Sequence, residues 1–384
     1  MNVSHVKLKN WRNFRSVDTP LSRRVFIIGP NASGKSNFLD AFRFLRDVAK
    51  SEGGGLQKAV SERGGISKIR CLAARKEPQV EIEIHLTNSQ DQEAKWKYAL
   101  GIKQKSRGHR QPFVFYERVW RGGALILDRP DPDDREDKLR LNQTHLEQIN
   151  TNFEFRQIAD FLESIYYQHL VPQVLRHPGT FRGPSPKEDP FGRSFLERVV
   201  ETAERTRRSR LRKIEKALRI AVPQLKQLTD TRDDKGIPHL EAVYEHWRPK
   251  AGKQSEEEFS DGTLRLIAFL WAILDGESLL LMEEPELYLH SAIIKRLPGL
   301  MWRIQEKKKR QILISTHSED LLSDEGIGGE EVLLLTPYPE GTKVELASTK
   351  KEVRALLEGG LSISDAALPM TEPKNIVQLS LFND

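Results

Sequence analysis

The chain has 384 residues, with 61 Lys and Arg against 55 Asp and Glu, a formal net charge of +6, and 38% hydrophobic residues. That length suits one large domain with an insertion, or two domains, and no apolar run approaches the ~18 residues that span a bilayer, so neither a membrane-crossing helix nor a membrane partner is expected. The first residues are polar and charged where an export signal needs an apolar stretch of about 7–15, which predicts a cytoplasmic protein, and the single cysteine, Cys71, excludes an internal disulfide framework and a thiolate-rich zinc site. Alternation of Val3, His5, Lys7 and Lys9 with Ser4, Val6 and Leu8 predicts a strand, and the apolar run at 25–28 a second, buried one. Phe38, Leu39, Phe42, Leu45 and Val48 recur at helical spacing until Gly53, Gly54 and Gly55 end the pattern. Residues 79–87 and 95–127 alternate apolar with polar residues and predict an antiparallel β section. Residues 129–137, rich in Pro and Asp, predict an irregular surface loop. Helical patterns are expected over 142–170 and 194–220. A second α/β segment follows, with a helix over 263–275, a buried strand at 279–282, a helix from Ser291 and a strand at 312–314. The residues beyond about Ala367 predict a flexible tail.

Gly29-Pro30-Asn31-Ala32-Ser33-Gly34-Lys35-Ser36 matches the phosphate-loop pattern G-x-x-x-x-G-K-[ST], set between a strand and a helix as that pattern requires. Glycines let the backbone approach an anion closely, and the free N–H groups of a helix start, Asn37 included, face it. Lys35 supplies a point charge for the β/γ-phosphates and Ser36 a hydroxyl ligand for Mg²⁺, so ATP and Mg²⁺ are the expected cofactors. Glu283 and Glu284 follow a buried strand directly, at the strand end where open α/β sheets bind ligands. Neighbouring strand side chains diverge, so separate roles are expected: Glu283 on Mg²⁺, Glu284 orienting or deprotonating a water. Thr316-His317-Ser318 ends another buried strand, and His317 there could reach a γ-phosphate.

The phosphate loop, Ser260-Asp261-Gly262-Thr263 opening a helix, residues 279–284 and Ser315-Thr316-His317-Ser318 occur in that order, together with the opening stretch 7–15 and residues 161–178. In these the chain resembles the ABC-type ATPases of the RecF, SMC and OLD kind, and most nearly the AAA-labelled "predicted ATPase" proteins of prokaryotic defence and repair operons. The resemblance implies an α/β P-loop NTPase fold, an ABC-type ATPase head with an inserted β/helical segment. It divides the chain into the N-terminal part of the head (1–50), an antiparallel β section (51–140), a helical insertion (141–250), the C-terminal part of the head (251–350) and a C-terminal element with a tail (351–384). It makes Ser260, Asp261 and Gly262 the signature that contacts the nucleotide of the opposite subunit, and His317 the switch histidine. Taken alone, Ser-Asp-Gly-Thr is a helix cap. Glu283 stands where ABC transporters more often have Asp, and Asp261 where they have Gly. For the glutamine of the Q-loop, Gln79 is the candidate.

The implied mechanism is ATP-dependent head-to-head dimerisation, with hydrolysis reopening the clamp and moving the inserted segment. OLD proteins carry a metal-dependent nuclease after the ATPase. With 67 residues following His317 no such centre is expected, nor at Asp131, Asp133 and Asp134, so cutting would fall to a separately encoded effector such as a nuclease. The runner-up function is an ATP-controlled scaffold that holds and releases an effector or toxin, and a transporter subunit is disfavoured by the long insertion. Two binding signals remain. Residues 201–220 hold eight Arg and Lys against three Glu, so Arg205, Arg207, Arg208, Arg210, Arg212 and Lys213 are candidate contacts to DNA phosphates. Gln378, Leu379, Ser380, Leu381 and Phe382 resemble the peptide by which bacterial proteins bind the sliding clamp.

Overall fold

A computed structural model describes residues 1–74, 77–88, 94–105, 111–177, 189–246 and 252–372. In chain order the strands are β1 (Asn2–Trp11), β2 (Phe14–Pro20), β3 (Arg24–Ile28), β4 (Val80–Thr87), β5 (Trp96–Gln104), β6 (Pro112–Arg121), β7 (Ala124–Arg129), β8 (Tyr166–Gln168), β9 (Leu225–Arg232), β10 (Pro238–Tyr244), β11 (Lys253–Ser255), β12 (Leu280–Glu283), β13 (Ile312–Ser315), β14 (Val332–Tyr338) and β15 (Gly341–Leu346). They form three sheets. An antiparallel sheet runs β2-β1-β4-β5-β6-β7. A second runs β15-β14-β3-β13-β12-β8, and a small one runs β11-β10-β9.

The second sheet positions the chemistry. From β14 through β3, β13 and β12 to β8 its strands are parallel. Such strands are buried on both faces and read as unbroken apolar runs. Val25, Ile27, Leu281, Leu313 and Leu333 point into one core, which also holds the antiparallel sheet and the helix Lys35–Ala49. Phe26, Ile28, Leu280, Met282, Ile312 and Ile314 point into the other, against the helix Asp261–Leu274. The β1–β2 hairpin belongs to the antiparallel sheet yet packs on the phosphate-loop helix, with Trp11 against Phe44 and Phe14 edge-on to Phe38.

The α/β fold class, the antiparallel section, and the strand–loop–helix order at both ends match the sequence reading. Four segments differ. Residues 129–137 contain the short helix Pro132–Glu136, capped by Asp131, and beside it a buried ion cluster. Arg129, wholly buried, reaches Glu117 at 3.0 Å and Asp134 at 2.8 Å. Glu117 in turn accepts from the backbone N–H groups of His145 and Leu146 and from Tyr98. Asp134 is thereby committed to structure. Residues 142–170 are not one helical stretch. Thr144 and Asn152 bond the backbone locally, which competes with helix formation. Only the helix Arg156–Glu163 and a 3₁₀ turn form before β8. The hairpin β9–β10, with β11, stands within the stretch expected as a helical insertion. Leu225 and Leu228 sit three apart, a helix-like spacing that hides the strand. Ala367 is fully buried and a 3₁₀ turn covers Leu368–Thr371, so the residues just past 367 are not a free tail. The sliding-clamp candidate at 378–382 lies outside the described residues. Among the described residues, no helix is long and apolar enough to cross a membrane.

Removing the cation of the buried cluster leaves two carboxylates uncompensated, a loss that costs about 3–5 kcal/mol. Arg129→Ala should lower unfolding free energy by that amount in a denaturant titration, and a loss below about 1 kcal/mol would show that the cluster is hydrated.

Candidate functional site

β3 delivers the loop 29–34, and the helix Lys35–Ala49 begins where Gly34 takes φ +97°, a conformation open to glycine. A Cβ on Gly34 would also collide with the Asn13 side chain, and one on Gly29 would meet the carbonyl of Leu335 at 2.6 Å. Asn13, in the β1–β2 turn, braces the loop. It donates to Ser33 O and Thr342 Oγ1, both at 2.7 Å, and accepts from Asn37 Nδ2 at 2.8 Å. Trp11 Nε1 donates to Asn37 O. Lys35 is buried, with its ammonium on the carbonyls of Gly29 (2.9 Å) and Pro30 (3.2 Å). Burial pulls its pKa below the ordinary lysine value, with Glu284 and Glu283 opposing.

β12 ends at Glu283, in register with Ser315 of β13. Ser36 Oγ donates to Glu283 Oε2 at 2.8 Å, joining loop helix and strand end. Tyr167 Oη donates to the other oxygen, Oε1, at 2.8 Å, and His169 Nδ1 lies 3.9 Å from Oε2. Burial and the neighbouring Glu283 carboxylate push the Tyr167 phenol far above its ordinary value, so it stays a donor. Glu284 has φ +43°, uncommon away from glycine, and its N–H continues the ladder to Ser315 O. Its carboxylate lies 3.5 Å from His317 Nε2. Burial, then Lys35, lowers the His317 pKa below the ordinary histidine value, leaving the imidazole neutral at pH 7. Lys35, Ser36, Glu283, Glu284 and His317 thus share one end of the parallel sheet, as the sequence predicts. A hydroxyl beside a carboxylate is a hard oxygen donor set, which suits Mg²⁺.

Ser260 caps the helix Asp261–Leu274, accepting from Thr263 N at 3.1 Å. Asp261 is held by Arg176 (2.6 Å) and Gln173 (2.9 Å), which follow β8 closely. A Cβ on Gly262 would lie 2.6 Å from the carbonyl of Tyr288, so the turn after the acidic pair needs a glycine there. Sequence reasoning misses several residues of the site. Asn13 carries no local signal of its bracing role. Tyr167 and His169 fall inside a segment whose spacing is helical. Gln168 ends β8 beside Met282, at the carboxylate edge, whereas Gln79 precedes β4 in the antiparallel sheet and offers its carbonyl to Asn10. Of the two glutamines, it is Gln168 that stands at the end of the parallel sheet where Glu283 lies. Glu286 is likewise new. It is buried, accepts from Thr316 Oγ1 at 2.5 Å, and leaves Oε2 without a partner.

The basic helix Glu204–Ala221 buries Leu211, Ile214 and Leu218 and keeps its cations outward, with two exceptions. Arg207 donates to Val200 O and Thr202 O and pairs with Asp230. Arg210 pairs with Asp275 and lies over Trp271. These two are tertiary contacts and leave the predicted DNA-facing set. Arg205, Arg208, Arg212, Lys213 and Lys216 are exposed along one face of that helix, with Glu204 beside them.

A family model described as "AAA domain, putative AbiEii toxin, Type IV TA system" matches residues 24–324. The DNA replication and repair protein RecF of Lactobacillus gasseri is 28% identical over 183 residues, 46% of this chain and 47% of that protein. Endonuclease GajA of Bacillus cereus is 47% identical over 47 residues, 12% of this chain and 8% of GajA. The chain thus matches about half the length of one curated relative and under a tenth of the other. Among solved structures, an Smc head bound to the C-winged helix domain of ScpA superposes with TM-score 0.56 at 16% identity, covering 90% of this chain and 98% of that one. An Smc head with an extended coiled coil, bound to the C-terminal domain of ScpA derived from Pyrococcus furiosus, gives 0.53 at 14%, covering 93% and 99%. At these identities the likeness shows the fold, which is that of an SMC-type ATPase head.

Burial raises the Glu286 pKa to about 7, the Thr316 hydrogen bond opposing. A carboxyl raised in the folded state adds stability at low pH that is lost as pH climbs from its ordinary value, 4.5, through about 7. Glu286→Gln should therefore be more stable than the parent at pH 8 by on the order of 2–3 kcal/mol, with the gap closing below pH 4.5. Thermal unfolding across pH 4–8 checks this, and a gap independent of pH would exclude the titration of Glu286 as its source.

Proposed function

The chain belongs to the AAA-domain family described as putative AbiEii toxin, Type IV TA system, and has an ABC-type ATPase head of the RecF, SMC and OLD kind; from that premise we propose that it dimerises around ATP and hydrolyses it to drive a conformational switch on DNA or a DNA-associated partner, in phage defence or DNA repair. The observation that carries this reading is the 2.8 Å contact between Ser36 and Glu283 beside the Glu284–His317 pair. It brings together the residues that bind phosphate, hold a metal and handle a proton.

Ser36 and Glu283 would hold Mg²⁺, which when bound neutralises phosphate charge. Lys35 and the N–H groups at the start of its helix bind the triphosphate, and Gly34 and Gly29 keep the backbone close enough to do so. Glu284 orients a water toward the γ-phosphorus and takes its proton as the new O–P bond forms. The bond to the bridging oxygen breaks, and that oxygen leaves with ADP. His317, neutral, can donate from its ring to the departing phosphate while leaving Glu284 ionised as the base. Ser260 and the free N–H groups beside it, at the start of a 14-residue helix, would meet the γ-phosphate held by a second copy. Asp261 is held by Arg176, so that helix start is rigidly placed.

Lys35→Ala should abolish ATP binding and turnover. Glu284→Gln should keep ATP binding and slow hydrolysis by about 100-fold or more, the range for a lost general base. Incubated with ATP and Mg²⁺, Glu284→Gln should elute as a dimer. A monomer with ATP bound would refute the sandwich, and undiminished turnover would refute the role of Glu284.

Five exposed cations of the basic helix, Arg205, Arg208, Arg212, Lys213 and Lys216, are the proposed DNA contact. Reversing Arg205, Arg208, Arg212 and Lys213 to Glu should weaken DNA binding and flatten its dependence on log salt by about 0.9 for each phosphate no longer neutralised. Fluorescence anisotropy at several salt concentrations measures both, and an unchanged slope would place the DNA elsewhere on the surface. A second reading, a scaffold that holds and releases a separately encoded effector such as a nuclease or toxin, is favoured by the exposed Leu139, Ile149 and Phe153 between β7 and β8. ATPase stimulation by DNA or by a second protein separates the two. Binding of a sliding clamp through 378–382 is a further proposal, tested by pull-down with Leu381 and Phe382 changed to Ala.

A further inference from the structure

Two buried groups of opposite charge stand unjoined where the Ser260 helix meets the turn after the acidic strand. Arg265, one turn into the helix Asp261–Leu274, and Glu286, in the turn that follows β12, are 3% and 5% exposed. Arg265 Nε and Glu286 Oε2 are sealed from solvent, and neither has a hydrogen-bond partner among the described residues. Buried polar atoms are rarely left so, because nothing replaces the water they lose. The rest of each group is held. Arg265 Nη2 donates to Glu284 O at 3.1 Å and its guanidinium lies 5.5 Å from the centre of the Tyr288 ring, while Glu286 Oε1 accepts from Thr316 Oγ1. Burial raises the Glu286 pKa and lowers that of Arg265, and each charge opposes the shift of the other, so the two act on one another although their orphan atoms are not bonded.

Both elements reach the surface proposed to meet a second copy. Tyr288 is 62% exposed with φ +65°, uncommon for a bulky residue, and its carbonyl would lie 2.6 Å from a Cβ on Gly262. Pressure there acts on the ring beside which the Arg265 guanidinium rests. From this geometry we propose that seating a second copy on Tyr288 and the Ser260 helix start brings Arg265 Nε onto Glu286 Oε2, and that Arg265, so paired, is the positioning residue of Glu284. Arg265 already holds the carbonyl of Glu284, whose own φ is +43°. A planar guanidinium fixed on both Glu286 and that carbonyl sets the peptide, and with it the direction of the carboxylate that acts on water. The pair satisfies both orphan atoms, so it also stabilises the dimer. This inference rests on the ATP sandwich proposed above and adds to it the route by which one copy's arrival reaches the other's base.

The test is a double-mutant cycle of Arg265→Gln and Glu286→Gln in the Glu284→Gln background, which should hold the ATP dimer. Dissociation of the dimer is measured by analytical ultracentrifugation with ATP and Mg²⁺, and unfolding of the same chains by denaturant without nucleotide. Each single change should weaken the dimer by about tenfold at each of its nucleotide sites, as expected for a lost charge-assisted hydrogen bond, and both together no more than one alone. Unfolding should show coupling of about twofold or less, the scatter expected of groups that are not joined. Equal coupling in both measurements would make the pair a fixed feature of the fold, and none in the dimer would remove it, so either overturns the proposal. If the Glu284→Gln parent forms no dimer, the sandwich fails and the pair with it. Should Arg265→Gln not fold, Arg265→Lys, which keeps the charge and loses the planar fork, takes its place. Positioning is read with Glu284 intact, at protein concentrations that saturate the dimer. Glu286→Gln should there lower turnover at saturating ATP by about tenfold and leave the ATP concentration for half-maximal turnover within about twofold. Undiminished turnover overturns the positioning role.

Discussion

One carboxylate holds the active end of this protein together. Glu283 accepts from Ser36 on one oxygen and from Tyr167 on the other. Those donors belong to the helix after β3 and to the edge strand β8, with β12 between them carrying the acceptor. The contact therefore crosses the sheet from its centre to its edge. It also brings a metal-type hydroxyl to a strand end whose next residue, Glu284, is turned away by a positive φ. The two acidic residues serve different neighbours because the backbone reverses between them.

The sheet order makes this arrangement compact. β13 lies between β3 and β12, so the strand ending at Ser315 separates the loop strand from the acidic strand and delivers His317 between them. Thr316, the residue between, is fully buried and donates to Glu286, which ties the turn after the acidic pair to the histidine strand. On the opposite side the same turn approaches Gly262 so closely that no side chain fits there. A shift of residues 284–289 would consequently be felt at both His317 and the Ser260 helix start. This is a short mechanical path between the place proposed to handle a γ-phosphate and the surface proposed to meet a second copy.

Much of this is legible in residues alone. A glycine loop between a buried strand and a helix, and a carboxylate pair after an apolar run, declare their chemistry through fixed local spacing. What stays hidden depends on long-range pairing. β8 has three residues, too few to show a period, and its apolar neighbours Phe161, Leu162 and Ile165 continue a helical pattern. Tyr167, Gln168 and His169 are concealed with it. Arg129 and Asp134 read as loop residues because their surroundings are polar, and their burial follows only from Glu117 on a neighbouring strand. Arg207 and Arg210 carry the same charge as their neighbours, and their inward direction is set by Asp230 and Asp275, remote in sequence.

The net charge of +6 acquires meaning only after such pairings are subtracted. In the basic helix, inward pairs remove Arg207 and Arg210, while Arg208 and Arg219 are matched by Glu204 and Glu215 one turn away. Such exposed i,i+4 pairs are worth about 0.3–0.5 kcal/mol and leave both cations available to a stronger anion. Behind the phosphate loop the case is opposite: among the described residues Asp40 is held by Arg63 and Arg12, and Asp47 by Arg63 and Arg46, in partial burial. The first arrangement suits a long polyanion bound through many weak, salt-screened contacts. The second commits its cations to the protein's own carboxylates at lower local dielectric, where each contact counts for more. Two cationic surfaces of one chain are thus distinguished by how their countercharges are placed, and the total charge is silent on both.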